Sequence, residues 1–114
     1  MTEQIAAPKV TMADIEDNIV SEYYFTAANG VVGAAGTAVE LYWYHPQLDR
    51  LTFCVLVLTN GFTVVGHSAC VSAENFNAEV GRRMARENAI DQLWPLMGYA
   101  LTERLFKRWG DCGV

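Results

Sequence analysis

The sequence predicts an α+β fold: a small antiparallel sheet with an N-terminal helix and two C-terminal helices. Three observations carry this. Leu51 to Leu58 is an unbroken apolar run of strand length. Asn60-Gly61 follows almost at once, and both central positions of a tight hairpin turn favour a positive φ. From Ser72 to about Trp94 apolar residues then recur at helical spacing.

Taken in order, residues 1–10 read as a loose arm. Thr11 to about Phe25 reads as a helix, capped by Thr11, with Asp14 in its first turn and Met12, Ile15, Ile19 and Tyr23 along one face. Asn29 to Gly36 (NGVVGAAG) lacks both the G-x-G-x-x-G spacing and a following Gly-Lys-Ser/Thr, so it reads as a pliable connector or a bend at a sheet edge and not as a phosphate loop. Ala38 to Tyr44 is rich in β-branched and aromatic residues and predicts a strand, ended by His45-Pro46. The run from Leu51 predicts a central strand covered on both faces. Asn60-Gly61 turns it into a third strand, Phe62 to Gly66, completing a meander.

Ser72 predicts the N-cap of a long helix, with Glu74 where the helix dipole favours negative charge. That helix is expected to bend or stop at Pro95. Its small residues Ala78, Gly81, Ala85 and Ala89 line one side, which predicts a close helix–helix contact and assigns this helix the role of mediating oligomerisation. A last helix is expected from about Gly98 to Trp109, ended by Gly110.

The 114 residues suit one domain, and 52% hydrophobic content suits a packed core. The net charge of −5 gives no general attraction to a phosphate backbone, which argues against duplex nucleic acid as a partner. No apolar run reaches the roughly 20 residues of a membrane helix. The N-terminus lacks the basic and apolar regions of a signal peptide, and Cys54, Cys70 and Cys112 form no C-x-x-C pair. A reducing cytosol is the expected setting.

The candidate chemistry is anion binding. Arg83 has Glu79 and Glu87 four residues away on either side, an ordinary intrahelical ladder. Arg82 and Arg86 have Ala78 and Ile90 at those positions instead. Two guanidinium forks on one face without a matched acid suit phosphate recognition. Pairing with acids elsewhere in the chain, or solvation, is the somewhat more common explanation of such a pair. His45 and His67 have no zinc spacing, and His67 with Cys70 is a weak nucleophile–base pattern. No catalytic residue, metal site or cofactor is assigned.

The block NGFTVVGHSACVSAENFNAEVGRRMARENA, followed by LWPLMGYAL, resembles a family of small tailed-phage proteins catalogued without a function. The features are Asn60-Gly61-Phe62, Ser68-Ala69-Cys70, Glu74-Asn75-Phe76, Gly81-Arg82, Ala85-Arg86-Glu87-Asn88, Trp94-Pro95-Leu96 and Gly98-Tyr99. The block also resembles the first type of Thoeris anti-defence protein. That resemblance implies a phage-encoded sponge in the host cytoplasm. Such a protein sequesters cyclic ADP-ribose isomers, and cyclic oligonucleotides of CBASS immunity, without degrading them. It implies a dimer or hexamer. It implies phosphate-gripping roles for Arg82 and Arg86, with Asn75, Asn88 and Phe62 as polar and stacking partners. The rival expectations are an inhibitor that binds a host protein and, less favoured, a small phosphodiesterase.

Overall fold

A computed structural model describes residues 8–37 and 43–109. The element order is helix α1 (Met12–Asn18), strand β1 (Ile19–Thr26), helix α2 (Ala27–Ala35), a 3₁₀ turn (Pro46–Arg50), strands β2 (Leu51–Leu58) and β3 (Thr63–Ala69), then helices α3 (Ala78–Asp91) and α4 (Leu93–Trp109). The sheet is antiparallel in the order β1-β2-β3. The α+β class, the N-terminal helix, the β2–β3 hairpin and the two C-terminal helices agree with the sequence reading.

The N-terminal helix is shorter than expected. Thr11 does cap it, in a reciprocal box: its hydroxyl accepts from the Asp14 N–H, and its own N–H donates to Asp14 Oδ2 at 2.8 Å. The helix ends at Asn18 because Ile19–Thr26 pairs along β2, from Ile19 opposite Leu58 to Thr26 opposite Thr52. The residues IVSEYYFT suit a strand, and β2 supplies the partner that sequence spacing does not show. A bulge between Ile19 and Ser21 leaves Val20 exposed.

The expected connector at Asn29 to Gly36 is mostly helix α2. Thr26 caps it through the same kind of box, with Asn29 as the return partner, and Gly36 ends it at φ 59°. The strand expected over Ala38 to Tyr44 falls largely outside the described residues, and Trp43 and Tyr44 at its end are irregular.

Helix α3 starts later than Ser72. Residues 73–75 make a turn, and Asn77 is the cap, its Oδ1 accepting from the N–H groups of Glu79 and Val80. The long helix ends at Asp91, a few residues before the stop expected at Pro95, and α4 begins at Leu93 instead of near Gly98, so Pro95 falls inside α4. It is the third residue of that helix, where a missing N–H costs no intrahelical bond.

The core lies between α3 and one sheet face. Cys54, Leu56 and Leu58 of β2 and Val64 of β3 meet Ala85, Ala89, Ile90 and Leu93, with Ile15 of α1 closing one end. Of the small residues of α3, Gly81, Ala85 and Ala89 pack against the sheet while Ala78 is exposed, which corrects the expected helix–helix contact. Ala85 and Ala89 are wholly buried against Gly66 of β3. A Cβ at Gly66 would collide with the Ala85 carbonyl oxygen and the Ala89 backbone nitrogen. Gly81 likewise admits Thr52, whose Oγ1 would lie 3.1 Å from an added Cβ. The small face lets a helix sit close on a strand.

On the other sheet face Phe25, Phe53 and His67 form a tilted aromatic row, with ring centroids 5.5 and 6.3 Å apart. The edge strand β3 is sealed from α3. Asn88 Nδ2 donates to the His67 carbonyl at 2.8 Å, and Gln92 Nε2 to the Val65 carbonyl at 2.6 Å.

Candidate anion site

Arg82 and Arg86 are one turn apart on α3, yet they end in different surroundings. Arg86 reaches across to α1 and β1. Its Nη1 and Nη2 donate to Glu16 at 3.1 and 2.7 Å, and its Nε and Nη2 donate to Glu22 at 3.0–3.2 Å. The hydrogen bonds from Arg86 hold both carboxyls below the usual range, and they hold the guanidinium charged far above neutral pH. Tyr24 donates its hydroxyl to Glu22 at 2.7 Å, and burial followed by that bond pushes the phenol up. Cys54, beneath the same cluster, is pushed up by burial. The premise that Arg86 lacks a matched acid is thus overturned: its acids come from other elements, out of reach of an i, i+4 count.

Arg82 makes no ion pair among the described residues. It lines a cavity of about 140 Å³ with Tyr24, Thr26, Asn29, Thr52 and Phe76. The cavity sits where the ends of β1 and β2 meet the first turn of α3, and it offers hydroxyls, an amide and aromatic rings beside the guanidinium. Across Phe76 lies a second cavity of about 350 Å³, lined by Arg50, Ser68, Asn75, Asn77 and Gly81 among others. That volume falls in the range of small-molecule sites. Arg50 is a cation the sequence reading passed over. Its Nε donates to the Cys70 carbonyl at 3.2 Å and an Nη to Gln47, so neutral partners hold it. The available signal was modest: Arg50 is one of only two basic residues in the first sixty.

The remaining sequence candidates scatter. Asn75 joins the second cavity. Asn88 is engaged in sealing β3. Phe62 is half-exposed at the hairpin, beside Leu96 and Met97. It lies roughly 20 Å from Thr52 and the Arg82 cavity, six strand residues away at about 3.3 Å each. One protomer therefore brings together Arg82, Asn75 and the missed Arg50 around Phe76, and leaves Phe62 at the far end. The expected Glu79–Arg83–Glu87 ladder is half formed, by Arg83 and Glu87 at 3.9 Å.

A larger cavity, about 510 Å³, lies at that far end between α1, the hairpin and α4. Lys9 and Arg104 there face Asp14 and Asp17, so its charges balance and favour an anion less than the Arg50 and Arg82 cavities do. Among the described residues no group of His, Cys, Asp and Glu could hold a metal ion. No helix among them is long and apolar enough to cross a membrane.

The geometry defines a small α+β domain with an arginine-lined cleft at one end of its sheet. The chain belongs to the phage protein (N4 Gp49/phage Sf6 gene 66) family, whose model matches residues 10–105. No curated protein and no solved structure gives a match.

Proposed function

We propose that this phage-family protein binds cyclic nucleotide immune signals in the host cytoplasm and withholds them without turnover. The ligand class is cyclic ADP-ribose isomers, with CBASS cyclic oligonucleotides as the wider set, and the binding form is a homo-oligomer. The observation that carries the reading is the pair of cavities around Phe76. Arg50 and Arg82 stand on either side of an aromatic ring, neither ion-paired among the described residues. Two separated cations suit a ligand with two phosphates, and Phe76 with Tyr24 offers π-faces to a base. Membership of a phage family and the sequence resemblance support the biological setting.

Thermal shift against a panel of cyclic nucleotides tests this, because a ligand that binds only the folded state raises the midpoint. Denaturing the loaded protein should return the ligand intact, in proportion to protein. Linear product in molar excess would replace the sponge with a phosphodiesterase. No shift with any cyclic nucleotide, together with a stable complex with a host protein, would favour the inhibitor reading.

A further inference from the structure

One side chain belongs both to the Arg86 clasp and to the Arg82 cavity. Tyr24 stands on β1 opposite Cys54, and its half-buried ring packs on the core. The same residue lines the cavity of about 140 Å³ beside Arg82. Its hydroxyl donates to Glu22 Oε1 at 2.7 Å. Glu22 is one of the two carboxylates that Arg86 holds from α3. Glu22 and Tyr24 lie two residues apart on one strand, so their side chains share a face. A line of hydrogen bonds therefore runs from the Arg86 guanidinium through Glu22 to the ring beside Arg82.

That line decides how well the cavity wall is ordered before anything enters. Glu22 is the acceptor of the Tyr24 hydroxyl among the described residues. Without it the ring keeps its packing on the core and loses the bond that fixes its tilt. A wall that the ligand itself must order takes part of the binding energy. The groups around Glu22 keep it charged. Arg86 of α3 and Tyr24 of β1 donate to it, Glu16 of α1 repels it, and Cys54 of β2 lies beneath. The Arg86 hydrogen bonds are the largest of these influences and hold Glu22 below its ordinary value of 4.5.

We infer that Glu22 is a positioning residue for the Arg82 cavity: it sets the Tyr24 ring, and so couples binding there to the Arg86 clasp. What enters the cavity rests on the ligand reading above, whereas the coupling of Glu22 to Tyr24 is a property of the free protein. The sign of its pH dependence follows from the charge. A carboxylate is a stronger acceptor than a protonated carboxyl. The tether is complete above pH 4.5 and weakens as pH falls through the lower folded value of Glu22. Arg86→Met removes the largest lowering influence and leaves Glu16 as a repelling neighbour. The tether should then weaken at a higher pH, while at neutral pH Glu22 is charged in both proteins.

Two readouts test this. In the free protein, the ring NMR signals of Tyr24 are assigned by their absence in Tyr24→Phe. They should shift with pH below 4.5 in wild type, shift at a higher pH in Arg86→Met, and lose that step in Glu22→Gln. The second readout is the affinity for a cyclic ADP-ribose isomer over the same range, with far-UV spectra showing that each protein is folded at each pH. Wild type should bind more weakly through its own Glu22 window, and Arg86→Met through its higher one. Tyr24→Phe should bind roughly two- to tenfold more weakly at neutral pH, the cost of ordering one side chain, and should lack the step. Any titration of the ligand is common to all the proteins and cancels in the comparison. Ring signals that ignore Glu22, coincident affinity profiles in wild type and Arg86→Met, or wild-type affinity in Tyr24→Phe would each overturn the coupling and leave the ligand reading in place. Ring signals that follow Glu22 in a protein that binds no cyclic ADP-ribose isomer would keep the coupling and remove the ligand reading.

Discussion

The two arginines of α3 make an instructive comparison. Arg86 points towards α1 and β1 and spends its donors on Glu16 and Glu22. Arg82, a turn nearer the N-terminus, opens into a cavity of hydroxyls and rings. They share residue type, helix and spacing. What separates them is whether another element brings a carboxylate into range. Arg86 ties α1 and β1 to α3. Arg82 remains available to an anion from outside, and Arg50 across Phe76 is available in the same sense.

The comparison depends on how closely α3 sits on the sheet, so the strongest way to break it is to lift the helix. Gly66→Ala should cost about 3 kcal/mol or more in urea denaturation, at or above the upper end of overpacking costs, because the Cβ meets backbone that cannot rotate away. Retained stability would mean that α3 is seated less closely than described.

Next in size is the clasp itself. Arg86→Met should cost about 1–3 kcal/mol. That is less than breaking a fully buried pair, because the Glu16 and Glu22 side chains stay 45% and 35% exposed. The sign of the pH dependence follows from the lowered carboxyl values. The contribution of the clasp is complete above the ordinary Glu value of 4.5 and is lost as pH falls through the lower folded values. Wild type should therefore lose stability in acid over that window, and Arg86→Met should lose less. Parallel pH profiles for the two proteins would contradict this.

A smaller effect separates Asn88 from the ligand. Asn88→Ala should cost about 0.5–1.5 kcal/mol, one backbone-directed hydrogen bond, and leave ligand affinity unchanged. A selective loss of affinity would return Asn88 to the binding residues.

These contrasts mark what sequence could reach. Leu51–Leu58, Asn60-Gly61 and the last two helices were legible because each signal is local. The division of residues 11–26 into helix and strand was not, because Met12, Ile15, Ile19 and Tyr23 keep helical spacing across the junction and only β2 decides for the strand. The small face of α3 was legible as a close contact but not as one with Gly66, since the partner lies on a strand. Arg82 and Arg86 looked alike for the same reason: Glu16 and Glu22 are 70 and 64 residues away from Arg86 in the chain. Helix α2 could have been read from the Thr26 and Asn29 capping box, had its glycines not pointed to a loop.

The most direct measurement is the affinity of a cyclic nucleotide that shifts the wild-type melting point, compared across Arg82→Ala, Arg86→Met and Arg83→Ala by titration calorimetry. Charge-assisted hydrogen bonds contribute about 1.5–3 kcal/mol each. Arg82→Ala should therefore bind roughly ten- to a hundredfold more weakly, at 1.4 kcal/mol per tenfold, with an unchanged melting point of the free protein. Arg86→Met should melt lower and, at a temperature where it is folded, bind within a few-fold of wild type. Arg83→Ala, whose exposed pair with Glu87 contributes at most about 0.5 kcal/mol, should change neither. Wild-type affinity in Arg82→Ala, or a collapse of affinity in folded Arg86→Met, would contradict the division of labour between the two arginines.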